Sequence, residues 1–240
     1  MRHSESDGTG RTSSRPRPRP RPRIPEQLTF SADHLKLPAE LRVPERSEAI
    51  AVLVSESVDE GRNVVTPQLV DRLHAAGIAS LAVKLLSESE ERTRAARFDI
   101  ERIAVRLLEV TRRIWELPRT RGLRIGYVGS EIGAAAAIRA VAALTAEGAE
   151  HLIRCVVSRE GRLDLVSDHL AAVSVPTLLI TGVYGDRGRR RGEKVRARFA
   201  GPSALETLGE EDAASGSPDR SRDVAQRVAD LTVSWFRRWV

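Results

Sequence analysis

"GLRIGYVGSEIGAAAAIRAV", residues 122–141, decides how the rest of the chain is read. Leu123 to Val128 carries Leu, Ile, Tyr and Val within six residues, β-branched and aromatic types that suit a strand. From Ile132 the text changes to small residues, mainly alanine, the strongest helix former. Between the two lie Gly129, Ser130, Glu131, Ile132 and Gly133. Glycines at both ends of so short a connection allow strand and helix to approach closely. The stretch therefore reads as strand, sharp turn, helix.

Working outward, the same alternation fills the chain from about Gln27. "LTFSADHLKL" and "AIAVLVSES" read as strands, and "TPQLVDRLHAAG" as a helix opened by Thr66-Pro67 and closed by Gly77. "IASLAVKLL" is the next strand. Residues 97–117 carry Ile100, Ile103, Leu107, Val110, Ile114 and Leu117 at intervals of three and four, a helical period that Pro118 ends. Beyond the central stretch come the strand "LIRCVVS", the short helix "DLVSDHLAAV" and the strand "PTLLITGVY". An arginine-rich helix near 189–199, the strand "SALETL" and a helix from about Asp219 complete the chain. That last helix places Val224, Val228, Leu231, Trp235 and Phe236 on one face, so Trp235 and Phe236 are expected to pack on the sheet; Trp239 is left open between that face and a dimer contact. Continuously apolar strands alternating with helices imply one doubly wound α/β domain over 27–240, with a mostly parallel sheet covered on both faces.

Composition narrows the class. The 240 residues are 41% hydrophobic, ordinary for a soluble globular chain. No apolar run approaches the ~20 residues that span a bilayer, and the polar, arginine-rich N-terminus does not read as a secretory signal. One cysteine, Cys155, excludes an intrachain disulfide or cysteine metal cluster, so the cytoplasm is the expected compartment. The net charge of +6 is uneven. Seven arginines fall within the first 23 residues, and the remainder is nearly balanced. Residues 1–26 contain "RPRPRPRPR" at 15–23, an alternation that forbids helix and ladder hydrogen bonds, and read as an extended, disordered tail. Arg15, Arg17, Arg19, Arg21 and Arg23 are candidates for a weak contact with nucleic acid or an anionic surface; the other reading is a solubilising extension without an aromatic to stack on bases.

The blocks "GIASLAVKLLSESEE", "RFDIERIAVRLLEVTRRIWELPRTRGLRIGYVGS", "GAAAAIRAVA", "VVSREGRLDLV" and "VPTLLITGVYGD" resemble, in order and spacing, the α/β-hydrolase superfamily, and within it the dienelactone-hydrolase-like branch. Some modules of that branch are fused to phosphoribosyltransferase domains. The resemblance runs from about residue 28 to the C-terminus and implies an α/β-hydrolase fold. It also implies a site: a nucleophile on the strand-to-helix elbow, then an acid, then a histidine, with backbone amides for the oxyanion.

Three of those four parts are altered here. The elbow frame G-x-S-x-G places the nucleophile at Glu131, with Ser130 one position early. A carboxylate nucleophile has precedent in the aspartate that dehalogenase and epoxide-hydrolase relatives carry there. The alternative is a carboxylate at ease at a helix N-terminus, about 0.3–1 kcal/mol, with Ser130 as N-cap. Asp186 matches the triad acid, or else caps the next helix or pairs with Arg187, Arg189 or Arg190. The histidine is missing: His3, His34, His74, His151 and His169 all precede Asp186, and "TLGEEDAASGSPDRSRD" supplies no imidazole. The oxyanion segment reads Val54-Ser55-Glu56-Ser57-Val58 where the family carries a glycine-rich turn. The amide of Ile132 remains, but Glu56 would repel a developing oxyanion, and a lost donor costs about 3–4 kcal/mol.

Other chemistries have thinner support. Glu56, Glu131, Asp186, Glu210, Glu211 and Asp212 could gather oxygen ligands at the strand ends, yet nearby arginines neutralise them as readily, so neither metal nor cofactor is expected. "DRGRRRGEKVRAR" suits phosphate or nucleic acid, or else is a solvated helix face. The expectation is a dienelactone-hydrolase-like protein that has lost Ser-His-Asp catalysis and serves as a binding or structural module, with a small-molecule ligand in the former pocket. Two alternatives stand: a weak hydrolase of small esters or lactones using Glu131 or Ser130, and a nucleic-acid-associated protein acting through its Arg-Pro tail.

Overall fold

A computed structural model describes residues 25–55, 67–182, 185–208 and 218–240. Eight strands form one sheet in the order β1-β2-β4-β3-β5-β6-β7-β8. The core strands are β3 (Ala49–Ser55), β4 (Ile78–Lys84), β5 (Arg124–Ser130), β6 (Ile153–Arg159), β7 (Thr177–Thr181) and β8 (Ser203–Thr207), all mutually parallel. At one edge β1 (Glu26–Ala32) and β2 (Leu35–Arg42) run antiparallel. "LTFSADHLKL" is therefore a hairpin and not one strand: Asp33 and His34 turn the chain at φ 45° and 62°, the double left-handed geometry of a two-residue hairpin loop.

Parallel strands need crossover helices. α1 (Pro67–Ala75) and the C-terminal α7 (Pro218–Trp239) cover one face of the sheet. On the other lie α4 (Ile100–Glu116) and α5 (Glu131–Ala146), with the 3-10 segment Leu163–Ala172 against α5. The helix expected over 97–117 begins at Ile100, because Asp99 caps it by accepting from the Arg102 amide at 3.1 Å. Two short helices precede it, α2 (Glu88–Glu91) and α3 (Arg94–Arg97). α6 (Gly185–Arg196) packs beside β7 and β8.

The terminal helix docks as expected: Phe236 and Trp235 are buried. A Cβ on Gly126 would lie 2.7 Å from the Phe236 ring, so the bare glycine makes room for it. The Trp235 and Trp239 rings meet at 5.8 Å. α5 is buried almost all round, including Ala134 to Ala137, as its small side chains permit. Tyr127, wholly buried, shares a 2.7 Å hydrogen bond with Thr111, which ties β5 to α4. Among the described residues, no helix is long and apolar enough to cross a membrane.

Candidate functional site

The carboxyl ends of the parallel strands come together at β5, the central position of the sheet. Ser130 is the last residue of β5 and lies opposite Arg159, the last of β6; Arg159 in turn pairs in register with Ile180 of β7. In open α/β sheets ligands bind at this end of the strands.

Glu131 occupies the apex of the elbow. Its φ is 43°, a left-handed conformation that costs a non-glycine residue about 1–2 kcal/mol. Its neighbours enforce that strain. A Cβ at Gly129 would stand 2.6 Å from the Ala134 nitrogen, and one at Gly133 would stand 2.7 Å from the Val54 carbonyl oxygen. Only glycine at both positions lets α5 seat this closely on β5 and β3. The Arg162 amide also donates to the Glu131 carbonyl at 3.0 Å, so the chain after β6 folds back onto the turn. The sharp elbow expected from the sequence is present, with glutamate at its apex.

Ser130 is buried and in extended conformation, φ −118° and ψ 152°. It occupies the N-cap position of α5, but its hydroxyl makes no capping hydrogen bond. Ile132 is buried, the second residue of α5. Ser55 ends β3, beside Lys84 in register. Asp186 falls in the first turn of α6. Glu56, the carboxylates 210–212 and the tail arginines 15, 17, 19, 21 and 23 lie outside the described residues.

Sequence reasoning missed the charged group that surrounds Glu131. Glu160 follows Arg159 and also has positive φ, 49°. Its amide donates to Ile180 at 2.8 Å, and its carboxylate accepts from the Gly182 amide, which fastens the end of β6 to the end of β7. Burial raises the Glu160 pKa and the Glu131 charge adds to the rise, against the Gly182 amide and Arg159, which lower it. Arg159 is half-buried; desolvation lowers its pKa, while the charges of Glu160 and Glu131 hold it up. Arg162 grips Asp164 with two hydrogen bonds of 3.0 Å each, and its guanidinium lies 5.8 Å from the Phe98 ring centroid. The available signal was "VVSRE", two charges directly after a continuous apolar strand, but their meeting with Glu131 depends on strand register.

The site thus supplies carboxylates and guanidiniums and no imidazole from the described part of the chain. His34 lies in the β1–β2 turn, and His151 precedes β6, at the opposite end of the sheet. His74 on α1 meets Ser80 at 3.3 Å, near the amino end of β4. His169 is on the surface, 4.0 Å from Glu101. Among the described residues, no group of three or more His, Cys, Asp or Glu side chains is arranged to hold a metal ion. A carboxylate flanked by arginine can bind a ligand or attack a carbonyl; the proton relay of a serine hydrolase runs through a histidine, and none is among these neighbours.

No protein-family model matches the chain. Over 90% of its length, and 99% of the other chain, it superposes on the crystal structure of dienelactone hydrolase from Anabaena variabilis, with a TM-score of 0.73 and 30% identity. An esterase from Pyrococcus furiosus shares the fold at TM-score 0.65 and 13% identity, covering 90% of this chain and 93% of that one. A Mycobacterium tuberculosis protein named "Putative phosphoribosyl transferase" is 33% identical over 211 residues, 88% of this chain. The chain spans about half the length, 46%, of that curated relative.

Proposed function

The chain belongs to the dienelactone-hydrolase-like α/β hydrolases, and we propose that it is a member that has given up Ser-His-acid hydrolysis and uses the former active site to bind a small molecule. The observation that carries this reading is Glu131 itself. It holds the strained apex where a nucleophilic serine belongs, and Arg159, Glu160 and Arg162 act on it or on one another electrostatically. A site built this way recognises charge and hydrogen-bonding groups; among the described residues it holds no histidine to turn a hydroxyl into a nucleophile. Fold alone does not assign chemistry, so the relatives' activities do not decide the matter.

The second reading, a weak hydrolase of small esters or lactones with Glu131 attacking, draws its support from the retained strain at φ 43°, since strained backbone gathers at functional sites. One experiment separates the two. Purified protein, Glu131→Ala and Ser130→Ala are assayed on short-chain aryl esters and small lactones. The binding reading expects no turnover above the buffer rate, or turnover unchanged in both variants. Activity abolished by one substitution would replace that reading with the second and identify the nucleophile.

A further inference from the structure

Along α6 the side chains of Arg189, Arg190, Arg191 and Lys194 are exposed, and Arg198 extends the row in the turn beyond the helix end. The opposite side of the helix is its packing side: Gly192 is buried, where a Cβ would stand 2.9 Å from the Leu205 side chain of β8, and Val195 is partly buried. Among the described residues, acids leave most of the row open. Glu193 pairs with Arg196 at 3.3 Å, Asp164 is held by the Arg162 fork although it also feels Arg191, and Asp168 forms a solvent-exposed 4.0 Å ion pair with Arg198, which a phosphate would have to displace.

We propose that this face of α6 is a docking surface for the phosphate backbone of duplex DNA. Arg190 and Lys194 are one helical turn apart and Arg198 continues the same ridge, so the three cover about 12 Å at 1.5 Å per residue. One DNA strand presents a phosphate every ~3.4 Å of axis over such a span, enough for each cation to find one. Guanidinium forks match phosphate oxygens. An anionic membrane is the less fitting partner, because a helix lying on a bilayer inserts an apolar face, and the apolar side of α6 is spent on β8. Contacts of this kind carry no sequence information. DNA docking on α6 depends neither on whether Glu131 binds or reacts nor on the Arg-Pro tail.

The test uses the full chain and a fluorescent 20-base-pair DNA duplex, with affinity measured from 50 to 200 mM salt. Arg190→Gln/Lys194→Gln/Arg198→Gln is compared with wild type and with a variant in which Arg15, Arg17, Arg19, Arg21 and Arg23 become serine. Three lost phosphate contacts reduce the slope of log affinity against log salt by about 2.7, equivalent to removing a roughly 40-fold loss between those salt concentrations. The tail variant should keep that component. Lys194→Gln alone should lower the slope by about 0.9, and serves if the triple variant unfolds. The proposal is overturned if the α6 substitutions leave the slope unchanged, or if wild type does not bind the duplex at 50 mM salt. It is overturned equally if the substitutions reduce binding to phosphatidylserine vesicles and not to DNA.

Discussion

Replacing Arg106 with methionine should cost the fold about 3 kcal/mol at neutral pH, and most of that penalty should disappear in acid. Arg106, on α4, is only 2% exposed, yet all of its guanidinium donors are used. It donates to Asp33 from Nε at 3.1 Å and Nη2 at 2.8 Å, to Glu90 at 2.9 and 2.8 Å, and to the Leu85 carbonyl at 2.8 Å. One side chain thereby joins α4, the β1–β2 turn and the segment after β4. Its hydrogen bonds, helped by those of Ser87, hold the Glu90 carboxyl at about 2 against an ordinary 4.5. At 1.36 kcal/mol per unit that difference is worth about 3 kcal/mol, slightly less because the Glu90 side chain is 17% exposed. Removing one partner of a buried pair costs about 3–5 kcal/mol, which agrees. Because the folded pKa is depressed, the contribution is complete above about pH 4.5 and fades as pH falls toward 2; by pH 3 more than half is gone. Urea unfolding of wild type and Arg106→Met at pH 7 and pH 3 reads both quantities. A loss under about 1 kcal/mol at pH 7, or an equal loss at both pH values, would refute the reasoning.

Gly133→Ala drives a methyl group to 2.7 Å from the Val54 carbonyl oxygen and should lower stability by about 1–3 kcal/mol, seen as a fall in thermal midpoint. Cys155 is buried and its thiol pKa is pushed up by desolvation, so a thiol reagent should label it only after denaturant is added. Partial burial, and after it the Arg42 charge, lowers the His74 pKa below 6.5 in spite of Asp71. The fold favours the neutral ring, so its contribution is full above that value and declines as pH falls; an NMR titration should place the midpoint under 6.5. Glu131→Ser restores the elbow frame but supplies no histidine beside it, so ester turnover should not exceed wild type; a tenfold rise in a stopped assay would expose a proton acceptor among the remaining residues.

The parallel strands and the central elbow were legible because each is written locally, in apolar runs bounded by turn residues. The first hairpin was not, since Asp33 and His34 adopt left-handed conformations without the glycine that usually announces them. Ser130 suggested a capping hydroxyl, yet its extended backbone buries the side chain and no cap bond forms. Arg159 and Glu160 escaped notice for a different reason. Nothing near them in sequence says that β6 lies beside β5, with Arg159 in register with Ser130. A site assembled from the ends of separate strands becomes visible only with strand order.

The elbow shows which part of a hydrolase site is carried by the backbone. A left-handed glutamate costs about 1–2 kcal/mol, and it persists only where the surroundings over-determine it. Here they do. Gly129 and Gly133 fix the approach of α5 to β5 and β3, and the Arg162 amide holds the apex carbonyl. None of these contacts involves the side chain at position 131, so the turn does not depend on a serine being there. Side-chain chemistry can therefore change while the turn stays. Relaxing the turn would require α5 to move off Val54 and much of the core to repack, a greater loss than the strain it would relieve. The strain at Glu131 is thus set by the seating of α5 and by the Arg162 amide, and it should outlast any change of side chain at position 131.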